Sequence, residues 1–223
     1  MSGSLFYDEI ISCERCPRLV NYRESVKENT SKTPNYWKKP VPGFGDLSAK
    51  ILIIGLAPSA QGGNRTGRVF TGDRSGEFLF RGLYAAGLSN RPVSEGPGDG
   101  LELTGAYITA VVKCAPPDNM PTNDESITCT SAFLLREIKT ISPRVIITLG
   151  GFAFKWTASA LERMGYRVLA GKFSHGAVFK ITSSMEVICS FHPSPQNTNT
   201  GRLTEKMFID VLESAKKFAL QGS

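Results

Sequence analysis

Five cysteines and two histidines are the residues of this chain best suited to chemistry. Cys13 and Cys16 are separated by two residues in Cys13-Glu-Arg-Cys16-Pro17, and Cys114 and Cys129 bracket a stretch of fourteen residues. Thiolates bind soft metals, and four of them complete either a tetrahedral zinc site or an iron–sulfur cubane. The spacing leaves zinc and iron–sulfur both open. A redox dithiol at Cys13 and Cys16 ranks last, because it leaves Cys114 and Cys129 unused. Four unrelated core thiols are the remaining alternative. Cys189, inside the run VICSF, reads as core. His192 opens the segment HPSPQN where that run ends, and His175 sits in KFSHGAVF, a loop before an edge strand. The stretch from Gly62 to Gly67 is rich in glycine but lacks the Gly-Lys-Ser/Thr ending of a phosphate loop.

These residues need a scaffold, and the chain alternates short apolar runs with amphipathic stretches. That pattern predicts an α/β fold with a largely parallel sheet. The expected strands are 51–54, 106–112, 145–149 and 187–191, with AVFKIT at 177–182 as an added edge. Helices are expected from near Asp73 to Ala86, stopped by Gly87, and over about 203–220. Thr122 to Glu125 has the spacing of a capping box, so a helix should open there and carry Cys129 in its early turns. Residues 28–46 and 90–103 read as long loops. Ligands of such sheets gather at the carboxyl ends of the strands, where the Gly55–Asp73 loop and His192–Asn197 both emerge.

At 223 residues, with 41% hydrophobic and 21% charged residues, the chain reads as one domain over 1–223. No apolar run approaches the ~20 residues of a membrane span, and the start does not read as a secretory leader. A cytoplasmic, nucleoid-associated location without membrane contact is the expectation. An odd cysteine count then argues against a disulfide framework. A net charge of +6 favours polyanionic partners only weakly.

Four ordered motifs carry a resemblance: CERCPRL, GLAPSAQGGNRTGRVFTGD, YITAVVKCAPPDN and FHPSPQN. Together they resemble the family 5 (type B) uracil-DNA glycosylases, relatives of family 4, over nearly the whole chain. The resemblance implies a three-layer α/β/α fold with a central, mainly parallel four-stranded sheet. It implies a structural [4Fe-4S] cluster on Cys13, Cys16, Cys114 and Cys129, and a monomer acting on damaged double- or single-stranded DNA in base excision repair. Such an enzyme flips its target base into a pocket. By the resemblance, His192 donates to the uracil O2 and Phe70 stacks on the flipped base. Gly55, Leu56 and Ala57 present backbone groups, and Asn197 contacts the substrate side. The water-positioning Asp or Asn that the first motif carries in many uracil-DNA glycosylases is absent here, where Gly55-Leu56-Ala57-Pro58 stands. Asn64 is the first candidate for holding water, and Asp73 the second. His192 to Asn197, with Pro193, Ser194, Pro195 and Gln196 between them, form the loop expected in the minor groove. Arg65, Arg68, Arg202, Lys113 and Asn199 are candidate phosphate or orphan-base contacts. Related family 4 sequences tend to carry Asn where this chain has Thr109 or Ala110, which implies a wider range: hypoxanthine, xanthine and 5-substituted uracils. The rival readings are a non-catalytic nucleic-acid-binding module built on a metal or cluster, a redox protein, and a nucleotide-binding enzyme.

Overall fold

The apolar runs become strands buried at every position, as strands covered on both faces must be. The computed structural model describes residues 5–28, 35–167 and 171–220. Among them, β1 (Phe44–Gly45), β2 (Ile51–Gly55), β3 (Ala106–Ala110), β4 (Val145–Leu149), β5 (Val178–Lys180) and β6 (Glu186–Ser190) form one sheet, ordered β1-β3-β2-β4-β6-β5. The four central strands pair in parallel. They are the four read from the sequence. Two short antiparallel strands extend that sheet to six, β1 beside β3 and β5 beside β6. β5 falls within the AVFKIT segment, whereas β1 is hidden in a loop with no periodicity of its own.

Alternate residues of each strand feed two cores. Ile51, Ile53, Ile108 and Ile147 pack beneath α4 (Arg74–Ala85) and α9 (Glu205–Leu220), with Phe78, Leu83, Phe208 and Leu212. Leu52, Ile54, Tyr107 and Ile146 face the other layer. That layer includes α1 (Tyr7–Ile11), α2 (Pro17–Ser25) and α7 (Gly151–Arg163). Between β3 and β4 a helical run opens as α5 (Asn123–Cys129), passes through a π turn at Thr130–Leu134 and continues as α6 (Leu135–Ile141). The capping box is present: Thr122 Oγ1 accepts from Glu125 N at 3.2 Å, and Glu125 Oε2 from Thr122 N at 2.7 Å. Helices therefore cover both faces of the sheet, and β2, β3, β4 and β6 end at one edge. Two small helices sit in the loops there, α3 (Gly63–Thr66) after β2 and α8 (Pro195–Thr198) after β6.

Candidate active site and cysteine cavity

A crevice of about 690 Å³ opens at that edge, within the roughly 300–1,000 Å³ usual for ligand sites. Leu56, Ala57, Pro58 and Ser59 line it from the end of β2, and His192, Ser194, Pro195 and Gln196 from the end of β6. Phe70 enters from the long loop, its ring centroid 6.0 Å from that of His192. Close approach explains two glycines. A Cβ on Gly55 would lie 2.6 Å from Phe70 Cζ, and one on Gly76 only 1.8 Å from the Phe70 carbonyl oxygen. Phe70 itself has φ 52°, a left-handed conformation that costs a bulky residue of order 1–3 kcal/mol. The chain tolerates that strain where it presents a half-buried aromatic ring to the crevice.

Asp73, Arg74, Ser75 and Asn119 complete the polar lining. Asp73 caps α4, Oδ1 accepting from Gly76 N at 2.9 Å, and Oδ2 accepts from the Ser59 hydroxyl at 2.5 Å. Burial pushes the His192 imidazole below its ordinary value, against a smaller opposing pull from Asp73. The ring is thus held neutral, with one N–H to donate. His175 is outside the crevice. Its Nδ1 accepts from Phe191 N at 3.1 Å, and its ring stacks on Phe191 at 5.2 Å, steadying the residue before His192. Burial lowers its pKa too, opposed by a hydrogen bond to the Met207 backbone and by Asp210. As pH falls below about 6.5, the unfolded chain therefore takes up histidine protons before the folded one does. Stability is full above that value and lost below it. Thermal unfolding followed between pH 7 and pH 5 should show a falling midpoint, with a shallower fall in His175→Gln. Parallel curves for the two proteins would remove His175 from the account.

A second cavity lies between α2 and the end of α5. Cys13, Cys16, Cys114 and Cys129 all line it, with Arg23, Lys113 and Phe133. Among the described residues, no three His, Cys, Asp or Glu side chains stand close enough to hold a single metal ion. Burial raises the Cys16 thiol, lifts Cys114 to about 11 and lifts Cys129 to about 12. Two sulfurs nevertheless receive N–H donors: Arg23 Nη1 reaches Cys114 Sγ, and Lys113 N reaches Cys129 Sγ, each at 3.3 Å. Cys189 is fully buried in β6, as core.

The model of the uracil DNA glycosylase superfamily matches residues 42–216. The chain belongs to that superfamily. It is 45% identical to the type-5 uracil-DNA glycosylase of Pyrobaculum aerophilum, over 94% of this chain and 90% of that one. It is equally identical to the type-5 uracil-DNA glycosylase of Thermus thermophilus, over 98% and 99%. The type-4 uracil-DNA glycosylase of Thermotoga maritima is more distant, at 32% over 95% and 91%.

In this uracil-DNA glycosylase the crevice gathers Leu56, Ala57, Phe70, His192, Ser194, Pro195 and Gln196 from the residues read in sequence. Gly55 lies beneath Phe70, and Pro193 is buried beside the crevice. Asn197 acts on the loop, its Nδ2 donating to the His192 carbonyl at 2.8 Å. Asn64 does not reach the crevice. It is fully buried, and its Nδ2 donates to the Arg23 carbonyl at 3.1 Å. Arg65 clasps its own loop through the carbonyls of Gln61 and Gly72. Arg202 is exposed, its guanidinium 4.5 Å above the Phe191 ring, and Asn199 is exposed beside it.

Lys113 and Arg68 are buried rather than offered to phosphates. Lys113 pairs with Glu137 at 2.7 Å. Arg68 pairs with Asp99 at 2.8 Å and lies over Phe44. Burial would raise the Asp99 carboxyl, yet Arg68 and the N–H groups of Leu101, Glu95 and Gly96 hold it down to about 2. Arg68→Ala should accordingly lower the unfolding midpoint while leaving the salt dependence of DNA binding unchanged. Loss of about 0.9 from the log K against log salt slope would instead make Arg68 a phosphate contact. Sequence reasoning missed Arg74, an exposed cation at the crevice mouth, and Asn119. Asp118 and Asn119 both have positive φ, 53° and 55°, and the only sequence signal was the tolerance of Asp and Asn for that region.

Proposed function

We propose that this single-domain enzyme, acting as a monomer, hydrolyses the N-glycosidic bond of uracil in DNA. We extend its range to hypoxanthine, xanthine and 5-substituted uracils, in base excision repair. The observation that carries the reading is the facing pair Phe70 and His192 across a crevice floored by Leu56 and Ala57. A flipped base entering there meets an aromatic face, whose stacking is worth about 1–3 kcal/mol, and a neutral imidazole donor. Bond cleavage leaves negative charge on the base and positive charge on the sugar. His192 answers the first by donating to the uracil O2. Asp73 and Asn119 are among the polar side chains that line the same crevice, and in this reading they take over from Asn64 the task of holding the attacking water. Support for breadth is that the positions where family 4 relatives tend to carry Asn are here Thr109 and Ala110, both buried and neither lining the crevice.

Cys13, Cys16, Cys114 and Cys129 fit a [4Fe-4S] cluster. Four thiols share one cavity, and two receive N–H donors, one of them from the buried Arg23. A cubane spaces its thiolates more widely than a single ion does. Bound there, it supplies a structural tie between α2 and the Cys114–Cys129 loop that delivers Asn119. A nucleic-acid-binding module without catalysis would leave the strained Phe70 and the His192 crevice without a purpose.

The test is a panel of duplexes, each with one lesion, incubated with the anaerobically purified protein and then cleaved at abasic sites by alkali. Scission of the uracil duplex that needs the alkali step supports a monofunctional glycosylase. Scission of uracil alone would sink the breadth, and scission of none would sink the activity.

A further inference from the structure

A guanidinium buried to 3% exposure needs a counter-charge or a full set of acceptors. Arg23, on α2, has an unusual set. Its Nη1 lies 3.3 Å from Cys114 Sγ and 3.3 Å from the Cys13 carbonyl, and Nε donates to the Lys38 carbonyl at 3.1 Å. Among the described residues, the carboxylate paired with it is that of Glu24, 3.7 Å away and mostly exposed to solvent. A neutral thiol is a weak acceptor, so this arrangement makes sense when the Cys114 sulfur carries negative charge, as a ligating thiolate does.

The same residue reaches the crevice loop. The Arg23 carbonyl accepts from Asn64 Nδ2 at 3.1 Å, and Lys38, whose carbonyl Arg23 holds, donates its own N–H to the Asn64 carbonyl at 3.0 Å. Asn64 lies in the loop that ends with Phe70 and Asp73, and Asn64 is fully buried. One side chain and its own backbone thus join the cysteine cavity to the segment that presents the stacking ring.

Resting on the cluster reading above, we infer that Arg23 is a positioning residue with two tasks: it donates a charge-assisted hydrogen bond to the cluster's Cys114 sulfur and fixes the Phe70 loop against α2. Donors of this kind, placed just outside the ligands, orient them and tune the metal, and their loss typically weakens metal binding roughly 10–100-fold. A hydrogen bond also draws electron density from the sulfur. Its removal shifts the thiolate-to-iron charge-transfer absorbance to lower energy.

The experiment compares the holoprotein with Arg23→Met and Arg23→Lys, all purified anaerobically with iron and sulfide assayed. Arg23→Met should show the absorbance shift, lose its cluster to a chelator roughly 10–100-fold faster, and exchange amide hydrogens faster over residues 62–67. Arg23→Lys, which keeps the charge, should recover part of each effect and remains readable if the methionine variant does not fold. An unshifted spectrum with unchanged cluster loss in both variants would overturn the role of Arg23. Faster cluster loss with unchanged exchange over 62–67 would overturn the link to the loop. Wild-type protein without iron and sulfide would overturn the cluster reading itself, and this inference with it.

Discussion

Replacing His192 with alanine is expected to slow uracil excision roughly 10²–10³-fold while leaving DNA affinity nearly unchanged. The reasoning is differential: the departing base acquires negative charge only as the bond breaks, so a donor aimed at that charge acts on the transition state and little on the ground state. His192 suits the task because burial keeps its ring neutral and the hydrogen bond from Asn197 to its carbonyl fixes the backbone that carries it. On the proposed reading Phe70 still stacks on the base, so binding should survive. Single-turnover rates on a uracil duplex, paired with titration of an abasic duplex, separate the two effects. His192→Asn, which keeps an N–H donor, should recover part of the rate. A slowing of less than about tenfold in the alanine variant would take His192 out of the chemistry.

The largest stability loss is expected from Glu137→Ala. Lys113 and Glu137 are 1% and 0% exposed and lie 2.7 Å apart. The single Thr109 hydroxyl proton is shared between the two Glu137 oxygens, each 3.1 Å away, and Lys113 Nζ donates to Thr109 Oγ1 and, at 2.9 Å, to the Ala110 carbonyl. Removing the carboxylate strands an ammonium in the core, which typically costs about 3–5 kcal/mol. Whole domains are stable by only about 5–15 kcal/mol, so the variant should unfold at much lower denaturant. Lys113→Met combined with Glu137→Leu removes both charges and should recover most of the loss. Equal destabilisation by the single and double variants would show that shape, not charge, decides. Lys113 also adjoins Cys114 in the cysteine cavity, so iron and sulfide should be assayed in each variant before they are compared.

Much of the molecule was legible in the sequence for plain reasons. The runs ILII and VIITL are long enough to cross a sheet, and polar or glycine-rich segments end them where loops must leave. Cysteine spacing suggested that Cys13, Cys16, Cys114 and Cys129 lie together, and all four line one cavity. Burial of charge was harder to see, since Lys and Arg default to solvent. Glu137 was nonetheless visible in principle: it falls on the stripe Phe133, Leu134, Ile138 and Ile141 that faces the sheet. Asn119 was not, because its place in the crevice depends on two consecutive left-handed residues in a proline-rich turn. Nor was Asn64, whose glycine-rich surroundings suggested a ligand loop, whereas the side chain turns inward to α2.

The strands at the margins of the sheet span two residues in β1 and three in β5. The four between them are the segments most prone to assemble with copies of themselves: apolar and β-branched, with few charges. Such short margins expose too few free N–H and C=O groups to template a further strand. Aggregation must therefore wait for an edge to peel away. The protein's tolerance of heat and concentration should follow how firmly β1 and β5 are held, more than the strength of the buried sheet.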